Sequence, residues 1–259
     1  MTTRKNEHTE QIQKSLETRE KFPLSHFDSR KYIQHNLNLG DGLGPILAFM
    51  DALPADRTKV DVRRSFEDGD YSVAHADYVL GDWGPMVGFE IHRWEDERIV
   101  EHWDNLQSTP STASANGRSM TDGAREITDL ESTVANKALI GRFTDDVLIG
   151  RQFQDFGDYF NDDQLIQHSP DCGDGASAWI ALFEGEAARR NYRTLHKVLG
   201  EGNWVLTLAE GLATGADREA RPTAFYDLYR MEGGVIAEHW DVVETIPPRD
   251  QWQNDNGKF

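Results

Sequence analysis

The sequence predicts an α+β fold built twice in tandem, and three observations carry this. First, the chain repeats itself. Ile33-Gln34-His35 followed by Gly40-Asp41-Gly42 returns as Ile166-Gln167-His168 followed by Gly173-Asp174-Gly175, at an offset of 133. Asp68-Gly69-Asp70-Tyr71 aligns with Glu201-Gly202-Asn203-Trp204 at the same offset, and Glu101-His102-Trp103-Asp104 with Glu238-His239-Trp240-Asp241 at 137. Matched blocks in one order mark a duplication. The change of offset puts a four-residue insertion in the second copy near Ala213 to Pro222, a Gly- and charge-rich stretch read as a loop. Second, helical patterns precede strand patterns in each copy, which is the order of an α+β domain. Third, residues 108–121 are rich in Ser, Thr and small residues without apolar period, the composition of a linker. The domains are therefore expected at 1–107 and 122–246, with a polar tail at 247–259 that should fray.

The elements follow in order. His8 to Lys21 and Asp129 to Phe143 read as first helices, the latter with a capping box from Thr128 and Glu131. Gly44 to Leu53 and Ala176 to Arg190 carry apolar residues at helical spacing. Tyr71 to Leu80, Val87 to Trp94 and Arg98 to Asn105 read as strands, as do Trp204 to Ala209, Thr223 to Met231 and Val235 to Val243. Glu95-Asp96-Glu97 and Glu232-Gly233-Gly234 read as hairpin turns.

Composition narrows the function classes. With 259 residues and 38% hydrophobic content, the chain is long enough for two packed cores. A net charge of −18 repels phosphate backbones and anionic membranes, so neither nucleic acid nor membrane is an expected partner. The N-terminus lacks the apolar stretch of a signal peptide, and a cytoplasmic location is expected. The single cysteine, Cys172, forms no internal disulfide and reads as incidental.

Strand periodicity then groups the chemistry. A three-residue turn at 95–97 pairs Trp94 with Arg98, which sets Glu90 opposite His102 and His92 opposite Val100. Glu90, His92, His102 and Asp104 would share one face, joined by His75 if its strand faces the same way. Histidines and carboxylates on one side of a curved sheet suit acid–base work. The second copy keeps Asp227, His239 and Asp241 but has Leu208 for His75 and Tyr229 for His92, so either copy one alone does the chemistry or the two copies differ in ligand. His35 and His168 fit either a pocket mouth or loop packing. Trp83, with Phe89 and Trp94, is a candidate wall. His75, Glu90 and His102 have the composition of a metal triad, but their spacing does not support one, and neither metal nor cofactor is expected. Asp41 with Asp68, and Asp174 with Glu201, are the carboxylate pairs an epoxide-opening enzyme would use. They also read as loop residues.

Tyr32-Ile33-Gln34-His35-Asn36, Phe89-Glu90-Ile91-His92-Arg93 and Arg98-Ile99-Val100-Glu101-His102-Trp103-Asp104 resemble the SnoaL-like branch of the NTF2-like superfamily. The resemblance spans most of both copies. It implies two cone-shaped α+β barrels, each a bent antiparallel sheet wrapped around N-terminal helices, packed as an internal pseudo-dimer with homo-oligomers possible. It also implies a deep apolar pocket for a hydrophobic small molecule and chemistry without cofactor. Carried over, the acid–base positions are His102 and Asp104 with Glu90 beside them. The implied reaction is an aldol-type cyclisation, retro-aldol cleavage, isomerisation or dehydration through an enolate. Epoxide opening and ligand binding without turnover are the alternatives.

Overall fold

Two five-stranded sheets organise the chain in a computed structural model that describes residues 4–111, 114–185 and 188–259. The class is α+β, as the sequence predicts. Unit 1 comprises residues 1–109 and 247–259, and unit 2 residues 110–246. In unit 1 the helices are α1 (Lys5–Thr18) and α2 (Leu43–Ala52). Its strands are β1 (Ile33–Gln34), β2 (Thr58–Asp68), β3 (Tyr71–Leu80), β4 (Pro85–Glu95) and β5 (Arg98–Ser108). In unit 2 they are α3 (Thr133–Arg142) and α4 (Ala176–Ile180), with β6 (Ile166–Gln167), β7 (Arg190–Glu201), β8 (Trp204–Thr214), β9 (Ala220–Glu232) and β10 (Val235–Thr245). The sheet orders match: β1-β5-β4-β3-β2 and β6-β10-β9-β8-β7. Among the strands of the described residues, β1 and β6 alone run parallel to their neighbours, which are β5 and β10.

Bulges bend both sheets. β2 shifts register between Val62 and Arg64, and β7 does so twice, between Tyr192 and Thr194 and between Leu195 and Lys197. Each extra residue kinks its strand and deepens the twist. α1 lies against β2 and β3 through a face that is largely polar. Asn6 donates to Ser65 at 2.9 Å, Thr9 meets Ser72 at 2.7 Å, and the Tyr78 hydroxyl lies 3.1 Å from Gln13 Oε1. Unit 2 is filled differently. Phe143, Phe156, Phe160, Trp179, Phe183 and Tyr229 are buried in one cluster, which also holds Cys172. Burial pushes the Cys172 thiol up to about 12, so the side chain packs as an inert apolar group.

Several expectations are corrected. The helix expected over Ala176 to Arg190 ends at Ile180, and β7 starts at Arg190. β2 and β7 had no counterpart in the sequence reading. No side chain caps α3, and Asp129 precedes it in the left-handed region at φ 54°. The insertion is not a longer loop. Leu212 pairs with Pro222 as Val79 pairs with Pro85, and the four extra residues add two more pairs, Ala213–Arg221 and Thr214–Ala220. The tail does not fray either. Gln253 N donates to Leu37 O at 2.9 Å, and Asn254 donates to Asn36 O at 2.8 Å and Leu39 O at 2.9 Å. Residues 114–119 are held the same way in unit 2.

The two interiors exchange an aromatic for a glycine. Tyr78 of β3 corresponds to Gly211 of β8, and Gly88 of β4 to Phe225 of β9. Tyr192 enters from β7 instead and stacks on Phe225 at 4.2 Å. A Cβ on Gly211 would lie 2.1 Å from Asn191 O and 2.9 Å from Tyr192 Cα, both main-chain atoms. Gly211→Ala should therefore destabilise unit 2 by about 1–3 kcal/mol, because the backbone must move to relieve the contact. Urea unfolding followed by tryptophan fluorescence checks this.

Candidate functional site

The observed register differs from the expected one by two residues. The turn is Asp96-Glu97, both at positive φ (49° and 61°), so Glu95 pairs with Arg98. Gly233-Gly234 occupies the equivalent place in unit 2, also at positive φ. A bulge at Val100 then adds a second step, and Glu90 faces Asp104 while His92 faces His102. Two one-residue shifts cancel in parity, so Glu90, His92, His102 and Asp104 do share a face.

His102 is held from both sides. Its Nδ1 lies 2.8 Å from Gln34 Oε1, and its Nε2 2.7 Å from Glu90 Oε2. The Gln34 amide is oriented by the backbone: Asn36 N donates to Oε1 at 2.8 Å, and Nε2 donates to the Tyr32 hydroxyl at 2.9 Å. Oε1 is thus an acceptor, and His102 must carry a proton on Nδ1. The Nε2–Glu90 contact then holds one further proton between imidazole and carboxylate. Tyr78 donates its hydroxyl to the other Glu90 oxygen at 3.2 Å.

Asp104 completes the group. Its Oδ2 accepts from Asn36 Nδ2 at 2.5 Å. Its Oδ1 is buried and accepts no hydrogen bond among the described residues, with Lys258 Nζ 3.7 Å away. Donor atoms of Glu90, His102 and Asp104 all lie within 4.8 Å of one another. Burial pushes the Asp104 carboxyl up, and Lys258 and His102 partly counter it. For His102, burial acts downward, but the hydrogen bond and charge of Glu90 outweigh it and hold the imidazole above its usual range. His92 is pushed well below its usual range by burial and by the charge of His102, whose ring lies 5.0 Å away. It is a neutral neighbour, bonded to Thr9 of α1 at 3.0 Å.

Other expected members lie elsewhere. His75 pairs with Phe89, so both side chains point to the opposite face, where they stack at 4.3 Å and Arg64 meets His75 Nδ1 at 2.9 Å. The His75–Glu90–His102 metal triad is split by the sheet. The three groups that do meet could hold a cation only after His102 Nε2 gave up Glu90. His35 also lies on the far face, stacked on Trp103 at 4.8 Å and bonded to Glu101 at 3.0 Å. His168 repeats this on Trp240 at 4.6 Å, with Glu238 at 2.8 Å. Both are clamps between a loop and the sheet. Trp83 is 59% exposed, tilted against Phe49 and outside the cluster. Asp41 and Asp174 accept the backbone N–H of Gln34 and Gln167, which makes them loop staples.

Unit 2 keeps the plan but seals it. His239 meets Gln167 Oε1 at 2.8 Å and Asp227 at 3.1 Å, and the Tyr192 hydroxyl donates to Asp227 at 2.9 Å. Arg190 donates to Asp241 at 2.5 Å. Trp179 lies 4.2 Å from the His239 ring, and its counterpart in the repeat is the half-buried Ile46. Asp227, His239 and Asp241 are 0% exposed, whereas Glu90 and His102 each keep 7%.

The proton on His102 makes stability depend on pH. An imidazole with a raised folded value stabilises fully below its unfolded value of about 6.5 and loses that contribution as pH rises through the folded value. The melting-temperature advantage of wild type over Glu90→Gln should therefore shrink as pH rises above about 6.5. A constant difference across that range would contradict the assignment.

No family model matches the sequence, and no curated protein matches it. Solved structures do. An NTF2-like protein of Burkholderia xenovorans LB400 is 13% identical with a TM-score of 0.34, covering 42% of this chain and 86% of its own. An LEH-like epoxide hydrolase of M. tuberculosis is 15% identical with a TM-score of 0.36, covering 43% and 84%. A protein of Jannaschia sp. CCS1 described as a SnoaL-like polyketide cyclase is 16% identical with a TM-score of 0.36, covering 47% and 92%. Each spans most of its own length within less than half of this chain. No helix among the described residues is long and apolar enough to cross a membrane.

Proposed function

We propose that unit 1 is an acid–base centre that enolises a hydrophobic carbonyl compound, and that unit 2 is its sealed copy in a tandem NTF2-like chain. One observation carries the reading: the buried Asp104 Oδ1, which accepts no hydrogen bond among the described residues, beside the hydrogen-bonded His102–Glu90 pair. Glu90 has both oxygens engaged, so Asp104 is the base. It takes the proton α to the carbonyl. The C–H electron pair becomes the enolate, and the developing oxygen takes the place of Glu90 Oε2 as acceptor of the His102 Nε2–H. A raised carboxyl value suits this work, because the base must bind the proton it removes. Ring closure, retro-aldol cleavage, isomerisation and dehydration all pass through that enolate.

The test is exchange of acidic C–H for deuterium in heavy water, followed by NMR over a panel of β-dicarbonyl and β-hydroxycarbonyl compounds. Exchange above buffer supports the reading, and its absence for every compound sinks it. Epoxide opening is the second reading. The observation favouring it is that two carboxyl groups sit cross-strand with the Tyr78 hydroxyl and Asn36 amide around them. That set can activate a water and protonate a leaving oxygen. Turnover of an epoxide panel without C–H exchange would select it.

A further inference from the structure

The two segments that follow β5 and β10 are related to each other. Asn116-Gly117-Arg118 corresponds to Asn256-Gly257-Lys258. Asn116 Nδ2 donates to Gln167 O at 2.7 Å and Asp174 at 2.8 Å. Asn256 Nδ2 donates to Gln34 O and Asp41, both at 3.0 Å. His168 Nδ1 meets Ser119 O at 3.0 Å, and His35 Nδ1 meets Gly257 O at 2.9 Å. The segment after copy one's last strand thus serves unit 2, and the segment after copy two's last strand serves unit 1.

The cations on these straps then part ways. Arg118 stays at the surface and pairs with Asp174 at 3.1 Å. Lys258 turns inward. Its side chain is 4% exposed, its Nζ donates to Asp104 O at 2.8 Å, and it lies 3.7 Å from Asp104 Oδ1. Unit 2 places a cation beside the equivalent Asp241 by another route, Arg190 at the start of β7. The residue that Arg190 replaces in unit 1 is Thr58: Thr58 pairs with Leu80 as Arg190 pairs with Ala213. Its hydroxyl is spent on Pro54 O at 2.7 Å. Two unrelated positions supply the same charge to equivalent buried carboxylates, Lys258 to Asp104 and Arg190 to Asp241. Strap packing alone does not call for that.

We propose that the C-terminal strap is a working part of the candidate site, delivering Lys258 as the positioning residue that fixes the charge and orientation of Asp104. This rests on Asp104 being the base. Asp104 also faces Glu90 from β4, His102 from β5, Tyr78 from β3 and Tyr32 before β1. None of these is positive except protonated His102. Removing Lys258 leaves a buried carboxylate beside a second one, and the neutral form gains.

The experiment reads Asp104 directly, without substrate. The carboxyl carbons of aspartate are labelled with 13C, the Asp104 signal is assigned by its loss in Asp104→Asn, and its titration is followed by NMR. Lys258→Met should move the midpoint to higher pH, and Lys258→Arg should hold it near wild type. Lys258→Gln keeps a donor for the Asp104 carbonyl and reports the charge alone if methionine loosens the strap. A midpoint that stays at the wild-type pH in the folded neutral variants overturns the proposal. A failed exchange assay would sink the enzymatic reading and leave this titration unaffected.

Discussion

Asp104→Asn should lower catalysed C–H exchange by about 10²–10⁴-fold, the usual contribution of a positioned general base, and Asp241→Asn should leave the rate unchanged. Asparagine keeps the size of the side chain and an oxygen to accept from Asn36, and Lys258 keeps its bond to the main-chain oxygen of residue 104, but its ammonium loses the carboxylate, so folded protein must be compared with folded protein. What it loses is the ability to take a proton. The control works because the two sites share their plan and differ in access. His239 lies under Trp179, and its group is fully enclosed, whereas the unit 1 group keeps a fraction of its surface open. Exchange at saturating substrate, compared between variants of matched near-UV circular dichroism, decides the matter. Retained rate in Asp104→Asn removes it as base, and lost rate in a folded Asp241→Asn moves the chemistry to unit 2.

Much of the candidate site was legible because strand periodicity depends on parity alone. Glu90, His102 and Asp104 were grouped although the register was off by two, since the Asp96-Glu97 turn and the Val100 bulge each contribute one residue. His75 could not be placed that way. Its strand needed a face of its own, and the Tyr71–Arg93 pairing that fixes it is long-range. β2 and β7 hid behind their bulges, which break the period-2 pattern. Gln34 and Gln167 were visible in both Ile-Gln-His triplets, yet a side chain that orients an imidazole has no spacing signature. The Asn-Gly-Arg and Asn-Gly-Lys echo was also present. It was masked by low-complexity surroundings in one copy and by the reading of a frayed tail in the other. Lys258 and Arg190 share no repeat position, so only the fold brings their common task into view.

The largest loss of stability is expected from Arg190→Met. Arg190 is 3% exposed and Asp241 0%, and the guanidinium also reaches Ser169 at 3.2 Å and Asp171 at 2.8 Å. Among the described residues no other cation is paired with Asp241. Methionine keeps the stem's volume and removes the charge, so Asp241 stays buried without its paired cation and beside Asp227. Breaking a buried pair from one side costs about 3–5 kcal/mol, against about 0–1 kcal/mol for an exposed pair such as Arg249–Asp255. The penalty belongs to the stranded carboxylate, not to the attraction lost. Arg190→Met combined with Asp241→Asn should therefore recover a large part of the stability that Arg190→Met alone removes. Urea unfolding of the two single variants and the double variant closes the cycle. A cost below about 1 kcal/mol for Arg190→Met would mean that water or a rearranged loop reaches Asp241. A double variant no more stable than the single would mean that Arg190 works through Asp171 and Ser169 in place of Asp241.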